Sequence, residues 1–426
     1  MNFRNLIVLS VAAYGAAFLS PFPAIPAAVA ADAPSPWVTA WATALQPIPD
    51  RAELPPLYRA PDVAARTVRQ IVYPTLSGRG VRIHFSNPYG RAPLVLEDVQ
   101  LGQSAGGAAL RDGTVAQVTF AGRKSAVVPP GGELDSDTVP IEVSAGTPYA
   151  ISSYMGAQQG LAAWHRVSSQ INYVSAPGNH AGDPSAGAYR TKFTQYAWVT
   201  GLLVDAPSSA AIAAIGDSIT DGMRSSLNRN QRWPDALARR LAESGNRSTA
   251  VLNLGISGNR LLSDSPCYGD ALVRRFDRDV LSHPGVKAVV LLIGINDINF
   301  ASTPQRAGLD CDFPHTVVSA QSLIGGYQQV IASAHRRGVP VFGATLTPAA
   351  LPREREATRL AVNTWIRSGG AFDGVVDFDQ ALRDPAAPER LLPRYDSGDH
   401  IHPSDAGYAA MATAVPLVPM VSAAHR

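Results

Sequence analysis

The sequence predicts an α/β chain in two parts: an antiparallel, jelly-roll-like β-sandwich, then a domain built on a parallel sheet. Three observations carry this. Across residues 37–205, short runs of alternating apolar and polar residues recur between turn signals, with almost no helical periodicity. From residue 211 onward, apolar runs of strand length alternate with helical stretches, the pattern of a parallel sheet covered on both faces. Between them, Asp205-Ala-Pro-Ser-Ser209 marks a change of composition, which sets the boundary near residue 206. Residues 31–205 are therefore read as an accessory β-sandwich domain and 206–426 as the α/β domain.

Residues 1–30 read as an export signal. Arg4 supplies a positive start, residues 6–19 an apolar stretch, and Ala28-Val-Ala30 a small-residue cleavage site. The apolar run is short for a membrane span, and Pro21, Pro23 and Pro26 follow it. The expectation is a periplasmic or secreted protein cleaved near Ala30, with no integral membrane segment after cleavage.

In the first part, residues 67–73 and 81–85 alternate as half-buried strands should, with a turn at 76–80 between them. Residues 94–101, 138–143 and 149–154 continue the series, and 175–187 read as an irregular surface loop. In the second part the expected strands are 211–215, 250–254, 288–293, 339–344 and 374–378. Helices fall between them, most clearly at 320–337 and 354–367.

Of 426 residues, 46% are hydrophobic and 16% charged, enough apolar material for a sizeable core. Basic and acidic residues nearly balance at 36 and 34, and no Lys/Arg cluster forms a nucleic-acid footprint, which sets that class of partner aside. The two cysteines, Cys267 and Cys311, suit a disulfide in an oxidising compartment. It would close a loop of 44 residues.

Chemistry concentrates in four stretches. Ala211-Ile-Ala-Ala-Ile-Gly-Asp-Ser-Ile-Thr-Asp-Gly222 puts Ser218 just past the carboxyl end of a buried strand, in the crevice where open α/β sheets bind ligands. Leu252-Asn-Leu-Gly-Ile-Ser-Gly-Asn259 and Leu292-Ile-Gly-Ile-Asn-Asp297 end the next two strands, and Asp396-Ser-Gly-Asp-His-Ile-His-Pro403 lies near the C-terminus. A serine becomes a nucleophile when an imidazole takes its proton and a carboxylate fixes that imidazole's tautomer. Asp399 and His402 supply both partners. The amides of Ser218 and Gly258 and the carboxamide of Asn296 are the donors for an oxyanion. Singly, each has a plainer explanation: Ser218 as a helix cap, Gly258 as a turn, Asn296 as a cap, Asp399 as a turn former, His402 as a surface histidine. His400 competes for the role of base, although its side chain should point away from that of His402.

Taken together, the four stretches resemble the sequence blocks of the SGNH, or GDSL-type, hydrolases. Gly216-Asp-Ser-Ile219, Gly255-Ile-Ser-Gly-Asn259, Gly294-Ile-Asn-Asp297 and Asp399-His-Ile-His402 match in order. The resemblance implies a flavodoxin-like three-layer α/β/α fold, with Ser218 as nucleophile, His402 as base, Asp399 orienting it, and Ser218, Gly258 and Asn296 forming the oxyanion hole. Thr220 stands where the second glycine of an ordinary G-x-S-x-G elbow would be. The first half is similar to the β-domain that precedes the catalytic domain in some secreted SGNH esterases, through Trp37-Val-Thr-Ala-Trp-Ala42, Thr67-Val-Arg-Gln-Ile71 and Val81-Arg-Ile-His-Phe-Ser-Asn87.

The resulting expectation is a serine esterase, free of metal and cofactor, acting on small-molecule or polysaccharide esters, with acetyl groups on carbohydrate favoured. A lysophospholipase or lipase-type acylhydrolase and a glycan-binding protein with a vestigial site are the alternatives. Trp164, Tyr154 and Tyr173 are candidates for a sugar-stacking platform or for core packing, and His165 is read as structural.

Overall fold

Five strands form the parallel sheet, in the spatial order Thr249–Gly255, Ala210–Gly216, Val286–Leu292, Val341–Ala344, Gly374–Val376. In chain order this is 2-1-3-4-5, the flavodoxin-like arrangement, whose switch point lies beside the first strand. Every residue of Ala210–Gly216 is buried, as a central strand covered on both faces requires. The strands end level at one rim, with Gly216 opposite both Gly255 and Leu292. Around the sheet, Trp233–Glu243 packs on Asp405–Ala414, and Ala320–Arg336 packs on Arg353–Ser368. This computed structural model describes residues 36–51, 53–157 and 160–425. The export signal expected at 1–30 lies outside the described residues.

Two antiparallel sheets precede the parallel one. The first, of five strands, runs Trp37–Ala42, Val199–Asp205, Gly78–Ser86, Val139–Val143, with Glu133–Asp135 also on Gly78–Ser86. The second, of eight, is centred on Arg66–Val72, Tyr149–Met155 and Leu94–Gly106. Alternation does the sorting: in Gly78–Ser86, Val81, Ile83 and Phe85 are fully buried while Arg82 and His84 are not. The chain passes from the antiparallel to the parallel sheet between Asp205 and Ala210. Apolar residues of all three sheets join one core, and the described chain forms one compact unit. At this junction Thr75 covers the edge of the parallel sheet: its hydroxyl accepts from the Val251 N–H at 2.9 Å and bonds the Val251 carbonyl at 3.1 Å.

Three expected elements shift, each for a local reason. The strand expected at 339–344 begins at Val341, after Pro340, which has no N–H to give a ladder. The strand expected at 374–378 stops at Val376, because the Asp377 side chain accepts from the Gln380 N–H at 3.1 Å and caps a helix over Phe378–Leu382. The loop expected at 175–187 gives its first three residues to the Asn172–Pro177 strand. Buried Arg69 holds the following turn through the carbonyls of His180, Ala181 and Asp183. Trp164 and Tyr173 are buried and offer no ring face to a sugar, whereas Tyr154 is half-buried.

Cys267 and Cys311 are bonded to each other, joining the loops that follow the second and third parallel strands. Replacing both with serine frees a 44-residue loop in the unfolded chain; the expected loss is about 4 kcal/mol in the chain-entropy model. Urea unfolding of the double variant measures it, and a midpoint unmoved from wild type refutes a stabilising role.

Candidate active site

Ser218 is the first residue of a single helical turn, Ser218–Asp221, that leaves the rim directly after the first parallel strand. Asp217 caps this turn, its Oδ1 accepting from the Ile219 N–H at 3.0 Å. The turn sits tightly on its neighbours. A side chain at Gly216 would come within 2.0 Å of the Leu292 carbonyl oxygen, so only glycine lets the two strands end together.

His402 arrives from the other end of the chain. Its Nε2 stands 2.8 Å from Ser218 Oγ, and its Nδ1 2.9 Å from Asp399 Oδ2. Asp399 Oδ1 also accepts from the backbone N–H groups of His402 at 2.8 Å and Ile401 at 3.1 Å. Partial burial alone would raise the Asp399 pKa. Those amide bonds and the His402 ring overcome it and hold the carboxyl well below the usual carboxylate range. Arg224, which carries no motif in the sequence, adds a contact at 3.0 Å to Asp399 Oδ2. His400 faces elsewhere, with its Nδ1 2.6 Å from Asp396 Oδ2.

The His402 loop is anchored on the serine side. Ser404 caps the helix Asp405–Ala414, accepting from the Gly407 N–H. On that helix, Asp405 accepts from the Ser226 N–H and hydroxyl at 2.9 and 2.6 Å, and the Tyr408 hydroxyl donates to the Met223 carbonyl at 2.7 Å. The chain just past Ser218 is thereby tied to the chain just past His402.

Gly258 and Asn296 stand on the segments that follow the two strands flanking the serine strand. Gly258 has φ +84°, and the Tyr268 ring occupies the space a side chain would need. Among the described residues, neither the Ser218 N–H nor the Gly258 N–H has a protein acceptor. Asn296 lies in the first turn of Ile295–Phe300 and donates through Nδ2 to the Asn259 carbonyl at 2.9 Å, which brings it to the residue after Gly258. Asp297 completes that junction by accepting from the Leu261 and Leu262 N–H groups at 2.8 and 3.0 Å. Burial pushes its carboxyl up to about 6 against those bonds.

Two further residues hold the rim together. Fully buried Arg275 donates to the carbonyls of Gly216 and Leu254 at 2.9 and 3.1 Å, to Asn259 Oδ1 at 2.9 Å, and to Asp279 at 3.0 Å. Asp221 Oδ2 accepts from the Ser257 N–H and hydroxyl at 2.9 and 2.5 Å, while its Oδ1 meets His165 Nε2 at 3.0 Å. His165 belongs to the antiparallel part, so that part reaches the first two site segments directly. Neither Arg275 nor the contact of His165 with Asp221 is visible as a motif, since each works across elements distant in sequence. Among the described residues no group of three His, Cys, Asp or Glu is arranged to hold a metal ion, and no single helix is long and apolar enough to cross a membrane.

An α/β fold with this rim defines the class, a carboxylic-ester hydrolase. Residues 214–410 match the model of the GDSL-like Lipase/Acylhydrolase family, and the chain carries a domain of that family. No curated protein matches the chain. Similar solved structures include a GDSL-like lipase from Bacteroides thetaiotaomicron VPI-5482, 18% identical, covering 50% of this chain and 87% of its own at a TM-score of 0.33. A catalytic mutant of Axe2, an acetylxylan esterase from Geobacillus stearothermophilus, is 21% identical, with 48% and 91% covered and a TM-score of 0.37. The acetyl xylan esterase AlAXEase is 20% identical, with 48% and 96% covered and a TM-score of 0.36.

The cap of the serine turn generates a pH prediction. Asp217 is fully buried, and its Oδ2 has no partner among the described residues. Burial pushes this carboxyl up to about 7 against the Ile219 N–H bond, with Asp297 adding to the rise. Between an ordinary carboxylate pKa and about 7, the native state keeps a proton that the unfolded chain has released. Stability therefore falls as pH rises through that window, and the whole cost is present above it. Asp217→Asn keeps an oxygen for the Ile219 N–H and removes the titration. Thermal unfolding at pH 5 and pH 8 is expected to show a smaller loss for the variant; equal losses contradict the assignment.

Proposed function

We propose that the chain is an exported serine esterase that removes short acyl groups, acetyl foremost, from carbohydrate, with residues 31–205 acting as an accessory domain that walls the site. The observation that carries the catalytic part is the unbroken contact from Ser218 Oγ through His402 to Asp399, at 2.8 and 2.9 Å. With the imidazole proton on Nδ1 facing Asp399, the Nε2 lone pair is left for the serine proton. Ser218 Oγ attacks the ester carbonyl while His402 takes that proton. The carbonyl oxygen, now negative, accepts from the unengaged amides of Ser218 and Gly258 and from Asn296. His402 then gives the proton to the departing alcohol, and a water molecule repeats the two steps to free the acid and restore the serine.

The short-acyl reading is supported by what borders the oxyanion side: the Tyr268 ring against Gly258 and the guanidinium of Arg166 beyond it. The carbohydrate reading is supported by the export signal read at 1–30 and by the β-rich partner that reaches the site through His165.

Ser218→Ala is expected to abolish release of p-nitrophenol from p-nitrophenyl acetate with thermal unfolding nearly unchanged; retained turnover refutes the nucleophile. Asn296→Ala is expected to lower kcat about 10²–10³-fold if the carboxamide serves the oxyanion, and a near-normal rate removes it from that role. Across p-nitrophenyl esters of rising chain length, kcat/KM should fall beyond the short acyl groups. A maximum at long chains favours the lipase alternative.

A further inference from the structure

The segment that carries His165 holds a charge that the mechanism leaves unused. Arg166 is 6% exposed, and its one hydrogen bond among the described residues runs from its backbone N–H to Gln46 Oε1. Its guanidinium has no carboxylate or carbonyl partner among the described residues, and its Nε is buried without any acceptor. Other buried arginines of this chain bond oxygens through their guanidinium nitrogens. Arg275 meets Asp279 at 3.0 Å, Arg359 meets Glu356 at 2.6 Å and Asp379 at 2.7 Å, and Arg69 donates to five oxygens. Its Nε is out of water without an acceptor, its terminal nitrogens bond no oxygen among the described residues, and only ring faces lie against it, which leaves the fork open to an anion that arrives from outside the chain.

Its position says where that partner sits. The Arg166 guanidinium carbon lies 5.1 Å from the centre of the Tyr58 ring and 5.7 Å from that of Tyr268. Tyr268 in turn lies directly on Gly258, where a methyl group in place of the glycine hydrogen would come within 2.4 Å of Cγ. The cation is thus held between two half-buried aromatic rings beside the oxyanion glycine. Ser169, three residues further along the segment, contacts the Gly222 carbonyl just past the serine turn. The segment therefore runs along the site from the Gly258 side to the Ser218 side.

We propose that Arg166 receives a carboxylate of the substrate, so that the natural ester is an acyl group on an acidic sugar, a uronate, rather than on a neutral one. This rests on the esterase reading above and on Gly258 as an oxyanion donor. A planar guanidinium fork matches a carboxylate with two parallel hydrogen bonds, and the tyrosine rings beside it suit the apolar face of a pyranose.

The test uses the full chain and two saccharides that differ in whether their carboxylates are free: acetylated oligogalacturonide and the same material with its carboxylates methyl-esterified, with acetate release as the readout for both. Wild type is expected to release acetate from the charged form with a kcat/KM roughly 10–100-fold higher, as a charge-assisted hydrogen bond gives. Arg166→Gln should bring the ratio of the two toward one, and Arg166→Lys should retain part of it. A purely structural arginine would alter both substrates together and leave the ratio in place, which overturns the proposal. Should Arg166→Gln fail to fold, wild type alone decides: deacetylated oligogalacturonide should compete with p-nitrophenyl acetate, and its methyl ester should not. A chain that cleaves p-nitrophenyl acetate yet treats both saccharides alike overturns this proposal and leaves the esterase reading standing. A chain inactive on all three overturns both.

Discussion

A contact of 2.8 Å between side chains 184 residues apart is the constraint around which this chain is built. Ser218 and His402 cannot meet through local structure; they meet because a parallel sheet delivers strand ends to a common rim. Order 2-1-3-4-5 places the serine strand between the two strands whose loops carry Gly258 and Asn296. The helix Asp405–Ala414 then holds His402 in place by docking on the residues that follow the serine. Each approach rests on the one before it, and the close fit of Gly216 against the Leu292 carbonyl keeps the rim level.

Holding such a rim uses charges in places where charge is expensive. Arg275 binds two strand-end carbonyls and the second site segment from a position with no access to water. Asp221, in the first segment, binds the Ser257 N–H of the second, and Asp297, in the third, binds the Leu261 N–H just past it. Buried ions rarely add net stability, but removing one partner leaves the other uncompensated. Such a network resists partial rearrangement and so fixes geometry more than it adds free energy. Asp217 is the exception, a buried carboxyl with one oxygen unserved among the described residues, and its raised pKa is the electrostatic consequence.

Much of this was legible in the sequence, and the parts that were not share a physical cause. Parallel strands announced themselves because burial on both faces demands an uninterrupted apolar run, and the antiparallel ones because burial on one face demands alternation. Residues 172–177 carry no strand pattern because Asn172 and Ser175 are buried in that strand through side-chain hydrogen bonds rather than by apolarity. At the site, Ser218, Gly258, Asn296, Asp399 and His402 stood out because each lies in a short local pattern. Arg275, Arg224 and the link from His165 to Asp221 did not, because a long polar side chain reaching across elements leaves no periodicity behind. Trp164, open to either reading, is buried, in keeping with the cost of exposing an indole that packs on all sides.

The antiparallel half is more than an appendage, and the reason is electrostatic as much as geometric. It shares a core with the parallel sheet, covers that sheet's edge with Thr75, and sends one short segment across the rim. On that segment adjacent residues diverge. His165 turns inward to the carboxylate that anchors Ser257, and Arg166 turns to the Tyr268 ring over Gly258. One is paired within the fold and so can only position; the guanidinium of the other bonds no oxygen among the described residues and so is free to bind an anion. If a substrate anion occupies Arg166, the two halves complete a single site across their junction. Neither half alone then carries both the reacting hydroxyl and the charge that selects what it attacks.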